Sequence, residues 1–167
     1  MKAVLCSSYG PPERLTLEEG VAPIAGEDEA IVEVHAASLN FPDGLQIQGK
    51  YQFQPPMPFT PGSEVGGVIK SVGPALKGFD VGDRVMATPG IGGLAEEVVV
   101  KETGLRKIPD SMDFRTAASF AMVYTTSYYA LKQRAKLQTG ETLLVLGASG
   151  GVAVSYTHLT LPTIYSV

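Results

Sequence analysis

The sequence predicts a mainly β fold over its first two thirds, followed by one helix and the opening of an α/β unit. Short runs rich in β-branched residues alternate with Gly and Pro turns up to about residue 110. Many short strands at this spacing are typical of a barrel or a sandwich. Apolar residues then recur at helical spacing after Asp113, and the apolar run Thr142–Leu146 leads directly into a glycine-rich turn. A wholly apolar strand before such a turn is typical of a buried parallel sheet.

Short apolar runs between turn residues predict five short strands, of which Ala30–Ala36 alternates and is rich in β-branched residues. The others cover Lys2–Cys6, Val65–Val72, the strand that follows a Gly-Asp turn within residues 79–86, and Ala95–Val100. Gly66 and Gly67 lie inside the third strand, where paired glycines predict a bend or a bulge. The helix is predicted to begin after an N-cap at Asp113 and to run to about Lys136.

Composition excludes several classes of protein. The chain has 167 residues, 44% of them hydrophobic and 18% charged, which is enough to bury a core. The formal net charge is −4 and the 13 Lys and Arg residues form no cluster, so we expect neither a nucleic-acid nor a membrane partner. A single cysteine, Cys6, allows no internal disulfide or zinc ribbon. With no signal peptide or membrane-length apolar run, a cytoplasmic location is expected.

The last residues interrupt the pattern, because a helix is expected to follow the glycine-rich turn. Residues 154–163 instead resemble the in-frame translation of a sequencing-library adapter. We therefore expect residues 153–167 to be a non-native tail that is poorly ordered or weakly packed. A genuine, divergent C-terminal strand is the alternative.

The glycine-rich turn is the sharpest local motif, and it consists of Gly147, Ala148, Ser149, Gly150, Gly151 and Val152. Glycine lets the backbone approach a pyrophosphate closely, and free N–H groups at a following helix start bind anions. No P-loop lysine follows, which argues against an NTPase. Two other segments favour structural roles when taken singly. Ser38, Asn40 and Asp43 would cap a short helix running to Gln48, and Glu64 would be a surface carboxylate.

Together these motifs resemble the medium-chain dehydrogenase/reductase superfamily, and within it the zinc-free quinone oxidoreductase family. The resemblance covers residues 1–152. It rests on Asn-x-x-Asp, Gly-Lys-Tyr, Pro-Phe-x-Pro-Gly-x-Glu, Gly-Asp-Arg-Val, Gly-Gly-x-Ala-Glu and Leu-Val-Leu-Gly-Ala-Ser-Gly-Gly-Val, in that order. It implies a GroES-like barrel over residues 1–112. Residues 113–152 would then be a linking helix and the truncated start of a Rossmann domain.

The resemblance also implies that no zinc is used. Zinc alcohol dehydrogenases of this fold have Cys-x-x-Asp and Gly-His-Glu, where this chain has Asn40 and Ser63 in place of the Cys and the His. A catalytic zinc needs three protein ligands, normally Cys, His or a carboxylate. Hydride transfer from NADPH to a quinone or another activated enone is therefore expected of the parent protein, with NADH not excluded. The 167-residue chain alone is expected to be inactive.

Particular residues take roles from the same resemblance. Asn40 would lie near the nicotinamide and hold its ribose or the substrate oxygen, and Tyr51 would donate a hydrogen bond to the substrate carbonyl. The alternative for Tyr51 is a half-buried aromatic residue at the barrel rim. Thr126 and Tyr129, three residues apart on one helix face, would contact the cofactor.

Two other classes of function stay open at this point. One is an enoyl reductase acting on a thioester. The other is a non-catalytic member that binds a nucleotide or serves a structural role. The parent is expected to be a homodimer paired through its Rossmann sheet.

Overall fold

The computed structural model describes residues 1–147 and 149–159, with side chains as far as residue 156. This part of the chain divides into two compact units, Met1–Ser119 and the residues from Phe120 onward.

The first unit is mainly β, as the sequence predicts. Its elements in chain order are β1 (Lys2–Leu5), β2 (Thr16–Glu19), β3 (Glu29–Ala37), α1 (Phe41–Gln46), β4 (Val65–Val72), β5 (Arg84–Ala87), β6 (Glu97–Lys101), β7 (Leu105–Lys107) and α2 (Phe114–Ala118). Short 3₁₀ turns span Pro12–Arg14 and Glu102–Gly104.

Antiparallel pairing joins five strands into one sheet in the order β6-β3-β4-β5-β7, and β1 pairs with β2 in a separate hairpin. Isolated bridges attach the β1 segment elsewhere, through Ala3 with Ala95 and Cys6 with Phe59. Alternate residues of the sheet form the core because successive side chains in a strand point to opposite faces. The largest fully buried apolar members are Val32, Val65, Ile69, Val85, Val100 and Leu105.

Strand β4 is confirmed at its predicted bounds, and β3 extends one residue beyond the prediction at each end. The sequence missed β2 and β7. The β2 sequence, Thr-Leu-Glu-Glu, shows no hydrophobic alternation, and all four of its residues are exposed. Strand β7 is three residues long, which is too short to show a pattern.

The predicted bulge at the glycine pair is confirmed. The β3–β4 register shifts between Val34 and Ala36, opposite Gly67 and Gly66. A Cβ at Gly67 would overlap the carbonyl oxygen of Glu33, and one at Gly66 would lie 2.5 Å from the carbonyl oxygen of Phe114. Glycine is therefore needed here for close backbone approach, first between strands and then between β4 and α2.

Asp113 caps α2 as predicted, accepting a 2.8 Å hydrogen bond from the Thr116 N–H. The single helix predicted to reach Lys136 is wrong, because α2 ends at Ala118. The Ser119 hydroxyl donates to the carbonyls of Arg115 and Thr116, and such local bonds compete with helix continuation.

The second unit is helical where it is described. It contains α3 (Ala121–Tyr128), a π-helical segment (Tyr129–Arg134) and α4 (Gly151–Leu159). Residues 142–146 form no strand, because a strand needs a neighbouring ladder and the described part of this unit offers none. Among the described helices, none has both the length and the apolarity needed to cross a bilayer.

Helix α4 corrects the expectation of a weakly packed tail for residues 153–156, whose side chains the structure describes. Ala153 and Ser155 are buried, and the Ser155 hydroxyl bonds both the Ser127 hydroxyl and the carbonyl of Val152. The alternative of a C-terminal strand is likewise wrong for these residues. The rest of the proposed tail, 160–167, lies outside the described residues.

Candidate functional site

The site residues of the first unit lie where β3 passes into α1. Asn40 is the N-cap of α1, and its backbone N–H donates a 2.7 Å hydrogen bond to Asp43 Oδ2. This bond belongs to a capping box, in which a side chain in the first turn reaches back to the cap residue. The predicted short helix is therefore confirmed, although it ends at Gln46 rather than Gln48.

Three side chains form a hydrogen-bonded group here, which we call the polar cluster: Ser38, Asn40 and Glu64. Asn40 Nδ2 donates to Ser38 Oγ at 2.8 Å and lies 3.4 Å from Glu64 Oε2. Ser38 Oγ in turn donates to Glu64 Oε2 at 2.9 Å. The amide nitrogen of Asn40 therefore faces this cluster.

Glu64 is fully buried, so the expectation of a surface carboxylate is wrong. The turn just before it is joined to a second segment by main-chain hydrogen bonds: the Gly93 N–H donates to the Gly62 carbonyl and the Leu94 N–H to the Pro61 carbonyl, both at 2.9 Å. Gly62 has φ +100°, and a Cβ there would lie 2.7 Å from the Leu94 nitrogen. The Pro-Gly turn thus lets two backbones meet directly before Glu64, which the sequence pattern does not reveal.

The donor set does not fit a catalytic zinc. By the resemblance, Asn40 and Ser63 would replace the Cys and the His of the zinc alcohol dehydrogenases, and neither an amide nor a hydroxyl is a usual zinc ligand. Across the described residues, no three His, Cys, Asp or Glu side chains converge in a way that would hold a metal ion. Asp43 Oδ1, three residues after Asn40, and Ser63 Oγ, directly before Glu64, are buried and make no hydrogen bond within the described structure.

Tyr51 is half-buried in the irregular segment after α1. Its hydroxyl forms no hydrogen bond within residues 1–147 and 149–159, so no bond joins it to the polar cluster. Two apolar side chains beside Asn40 are strongly exposed, Leu39 at 77% and Phe41 at 81%. The polar cluster is thus flanked in sequence by apolar surface.

The second unit carries the residues assigned to the cofactor. The Thr126 hydroxyl donates to the Met122 carbonyl at 2.6 Å, and Tyr129 is half exposed at the point where α3 becomes π-helical. Ser127 lies between Thr126 and Tyr129 in the sequence and was not predicted to be important. It is buried, and its hydroxyl donates a 3.0 Å hydrogen bond to the Val152 carbonyl. Small residues at helical spacing, as in Val152 and Ser155, are the available signal for such close helix packing.

The glycine-rich turn leads into α4, which begins at Gly151. Gly147 has φ +73°, and a Cβ on it would meet no heavy atom within 4 Å. The nearest atom to a Cβ on Gly150 is the Gly147 carbonyl oxygen at 3.9 Å. Open space before a helix N-terminus without acidic residues suits a phosphate anion. Ala148 lies outside the described residues.

Comparison with protein families matches residues 26–110 to the alcohol dehydrogenase GroES-like domain. Among curated proteins, a quinone oxidoreductase-like protein 2 homolog from Nematostella vectensis is 40% identical over 160 residues. That alignment spans 95% of this chain and 43% of the relative. Human quinone oxidoreductase is 38% identical over 157 residues, with 93% of this chain and 48% of the relative covered.

Solved structures give the same result. A human synaptic vesicle membrane protein VAT-1 homolog-like structure matches with TM-score 0.92 and 36% identity, covering 95% of this chain and 52% of that one. Quinone oxidoreductase from Thermus thermophilus, also solved with NADPH, matches with TM-score 0.83 and 34% identity, at 95% and 49% coverage. The CurK enoyl reductase matches with TM-score 0.86 and 27% identity, at 95% and 50% coverage.

The chain spans about half the length of the curated relatives it matches. The matched residues include the sheet and the cluster that contains Asn40 and Glu64. The chain belongs to the alcohol dehydrogenase GroES-like domain family, among the quinone oxidoreductase-like members of the medium-chain dehydrogenase/reductase superfamily.

Proposed function

We propose that the longer protein containing these residues is an NADPH-dependent, zinc-independent reductase of quinones or other activated enones. The observation that carries this proposal is the polar cluster. Ser38, Asn40 and Glu64 form a hydrogen-bonded group, and Asn40 is the member that, by the resemblance, would replace the zinc-ligating Cys of the zinc alcohol dehydrogenases. An acceptor that is already electrophilic does not require a metal to polarise it, so a hydrogen-bond donor such as the Tyr51 hydroxyl can suffice.

The glycine-rich turn would hold the cofactor. Gly147 and Gly150 offer backbone approach, and the residues that follow them, Ser149 and the α4 start at Gly151, offer free N–H groups for the pyrophosphate. Bound NADPH supplies a hydride to the acceptor, which also takes up one proton. Support for this cofactor comes from the quinone oxidoreductase relatives, one of which is solved with NADPH.

Thr126 and Tyr129 are proposed to contact the nicotinamide side of the cofactor. Both are exposed on the described surface of the second unit. The Thr126 hydroxyl donates its proton to the Met122 carbonyl, so towards a ligand it can act as an acceptor. A carboxamide N–H or a ribose hydroxyl is a donor that fits it.

Tyr51 is proposed to stabilise the reduced acceptor. Its unengaged hydroxyl can donate to a carbonyl oxygen that gains negative charge when hydride arrives at the conjugated carbon. Exposed Leu39 and Phe41 suit a planar apolar acceptor such as a quinone, because such a molecule buries apolar area on binding.

Steady-state oxidation of NADPH by the longer protein tests the proposal. With benzoquinone and naphthoquinone as acceptors, we expect saturable turnover that is faster with NADPH than with NADH. No NADPH oxidation with any quinone or simple enone would reject it.

An enoyl reductase acting on thioesters is the second candidate, since the CurK enoyl reductase structure superposes closely on this chain. Turnover with an enoyl thioester but not with quinones would select it. Pairing into a homodimer and a cytoplasmic location belong to the proposal as well. Sedimentation of the longer protein and cell fractionation test these two points.

A further inference from the structure

The fully buried carboxylate of Glu64 has no part in the roles assigned so far. Burying a carboxylate costs free energy that a buried apolar side chain does not incur. Its hydrogen bonds nevertheless lead outward, through Ser38 to the half-buried amide of Asn40. The buried Glu64 carboxylate is thus hydrogen-bonded, through Ser38, to Asn40, which is one of the two residues assigned to the reaction.

Anchoring the loop does not explain this carboxylate. The Ser38 N–H already donates to the Glu64 backbone carbonyl at 3.2 Å, and Ala37 pairs with Val65 in the adjoining ladder. These main-chain bonds hold the end of β3 beside the start of β4 for any residue at position 64. The side chain therefore does something the backbone does not.

The direction of the hydrogen bonds is fixed by chemistry. A carboxylate can only accept, so Ser38 must donate its hydroxyl proton to Glu64. The Ser38 oxygen is then an acceptor, and of the two ends of an amide only the nitrogen can donate to it. The 3.4 Å approach of Asn40 Nδ2 to Glu64 Oε2 favours the same orientation.

We propose that Glu64 is a positioning residue that acts through Ser38 to hold the Asn40 amide in one of its two flip states. The inference rests on the proposed function of Asn40 at the nicotinamide ribose, because in this orientation Oδ1 is the end of the amide left to accept a hydrogen bond from a ribose hydroxyl. Without the carboxylate, the Ser38 hydroxyl can rotate and donate to Asn40 Oδ1, so both amide orientations become available. Asn40 would then present the wrong group to its ligand for part of the time.

Amide NMR on the 167-residue chain tests the positioning without any activity measurement. We expect the Nδ2 protons of Asn40 to exchange with solvent about tenfold faster in Ser38→Ala and Glu64→Gln, as when one hydrogen bond is lost. Ser38→Thr, which keeps the hydroxyl, should retain slow exchange. Equal exchange in wild type, Ser38→Ala and Glu64→Gln would overturn the proposal.

A double-mutant cycle in the longer protein tests the consequence for the reaction. Glu64→Gln should lower kcat/KM about tenfold in the wild-type background and have no further effect beside Asn40→Ala. Additive losses in the double variant would show that Glu64 does not act through Asn40. If wild type oxidises no NADPH, the proposed function fails, while the NMR result still decides whether Glu64 orients the amide.

Discussion

The guanidinium carbon of Arg84 lies 4.7 Å from the centre of the Phe114 ring, over the first residue of α2. The ring of His35 contacts the same Phe114, with centroids 4.5 Å apart. Arg84 also donates to the carbonyls of Pro109 and Met112, at 3.1 and 2.6 Å. One side chain on β5 therefore fixes both the segment before α2 and the first residue of that helix.

Replacing Arg84 by Lys should lower the free energy of unfolding by about 1.5–3 kcal/mol, the usual cost of losing hydrogen bonds from a charged group. Lysine keeps the charge but lacks the planar fork that reaches several carbonyls and stacks on the ring. Urea unfolding followed by circular dichroism measures the difference. Arg106→Lys is the matched control, since Arg106 bonds the neighbouring carbonyls of Thr103 and Leu105. Equal losses in both variants would contradict a special role for Arg84.

Glycine at the bulge should be far less replaceable than glycine in α1. Gly67→Ala should cost about 1–3 kcal/mol or prevent folding, because the new methyl group would meet the Glu33 carbonyl. Gly44→Ala adds the same methyl group inside α1 with no atom within 4 Å, and should stabilise by about 0.5–1 kcal/mol. Thermal unfolding of the pair measures both. A tolerated Gly67→Ala would contradict the close β3–β4 approach.

Asp113 makes the stability pH-dependent. Its hydrogen bond from the Thr116 N–H is the main cause that holds the pKa of this carboxyl below its ordinary value. A carboxyl with a lowered folded pKa stabilises the protein above its unfolded pKa, and that contribution is lost as the pH falls through the folded pKa. Asp113→Ala should therefore lower the urea midpoint at neutral pH, and the gap should narrow below about pH 4. A gap that is constant from neutral to acid pH would contradict the charged cap.

The sequence predicted the sheet well because its information is local there. Val65–Val72 is rich in β-branched residues and carries a glycine pair, and these features correspond directly to the observed strand and bulge. The capping of α1 by Asn40 and Asp43 is equally local, since it depends on residues three apart.

The polar cluster could not be predicted in the same way. Glu64 contacts Ser38 and Asn40 across more than twenty residues, and the turn before it meets a distant segment through the hydrogen bond between Gly62 and Gly93. The break between α2 and α3 depends on the hydrogen bond that the Ser119 hydroxyl donates to the Arg115 carbonyl. The spacing of apolar residues does not predict this bond. The structure therefore differs from the sequence prediction mainly where burial depends on distant residues, or where a side chain competes with the helix for backbone hydrogen bonds.

The Tyr51 hydroxyl should matter to turnover in the longer protein. Tyr51→Phe should lower kcat about tenfold, which corresponds to about 1.4 kcal/mol of lost transition-state stabilisation. Tyr9→Phe is the matched control, because it removes a hydroxyl whose bond is a 3.4 Å contact with the exposed Gln54. Steady-state kinetics with a quinone acceptor measures both variants. Equal kcat values for wild type and Tyr51→Phe would show that Tyr51 is a scaffold residue.

Hydride transfer without zinc is the central claim, and quinone-dependent NADPH oxidation before and after removal of metal tests it most directly. The longer protein should be treated with a strong zinc chelator, desalted and assayed beside an untreated sample of known zinc content. We predict substoichiometric zinc and an unchanged kcat, because the amide of Asn40 and the hydroxyl of Ser63, which by the resemblance would replace the Cys and His ligands, are not usual zinc ligands. One tightly held zinc per chain, with activity lost on its removal and restored by added zinc, would contradict the account.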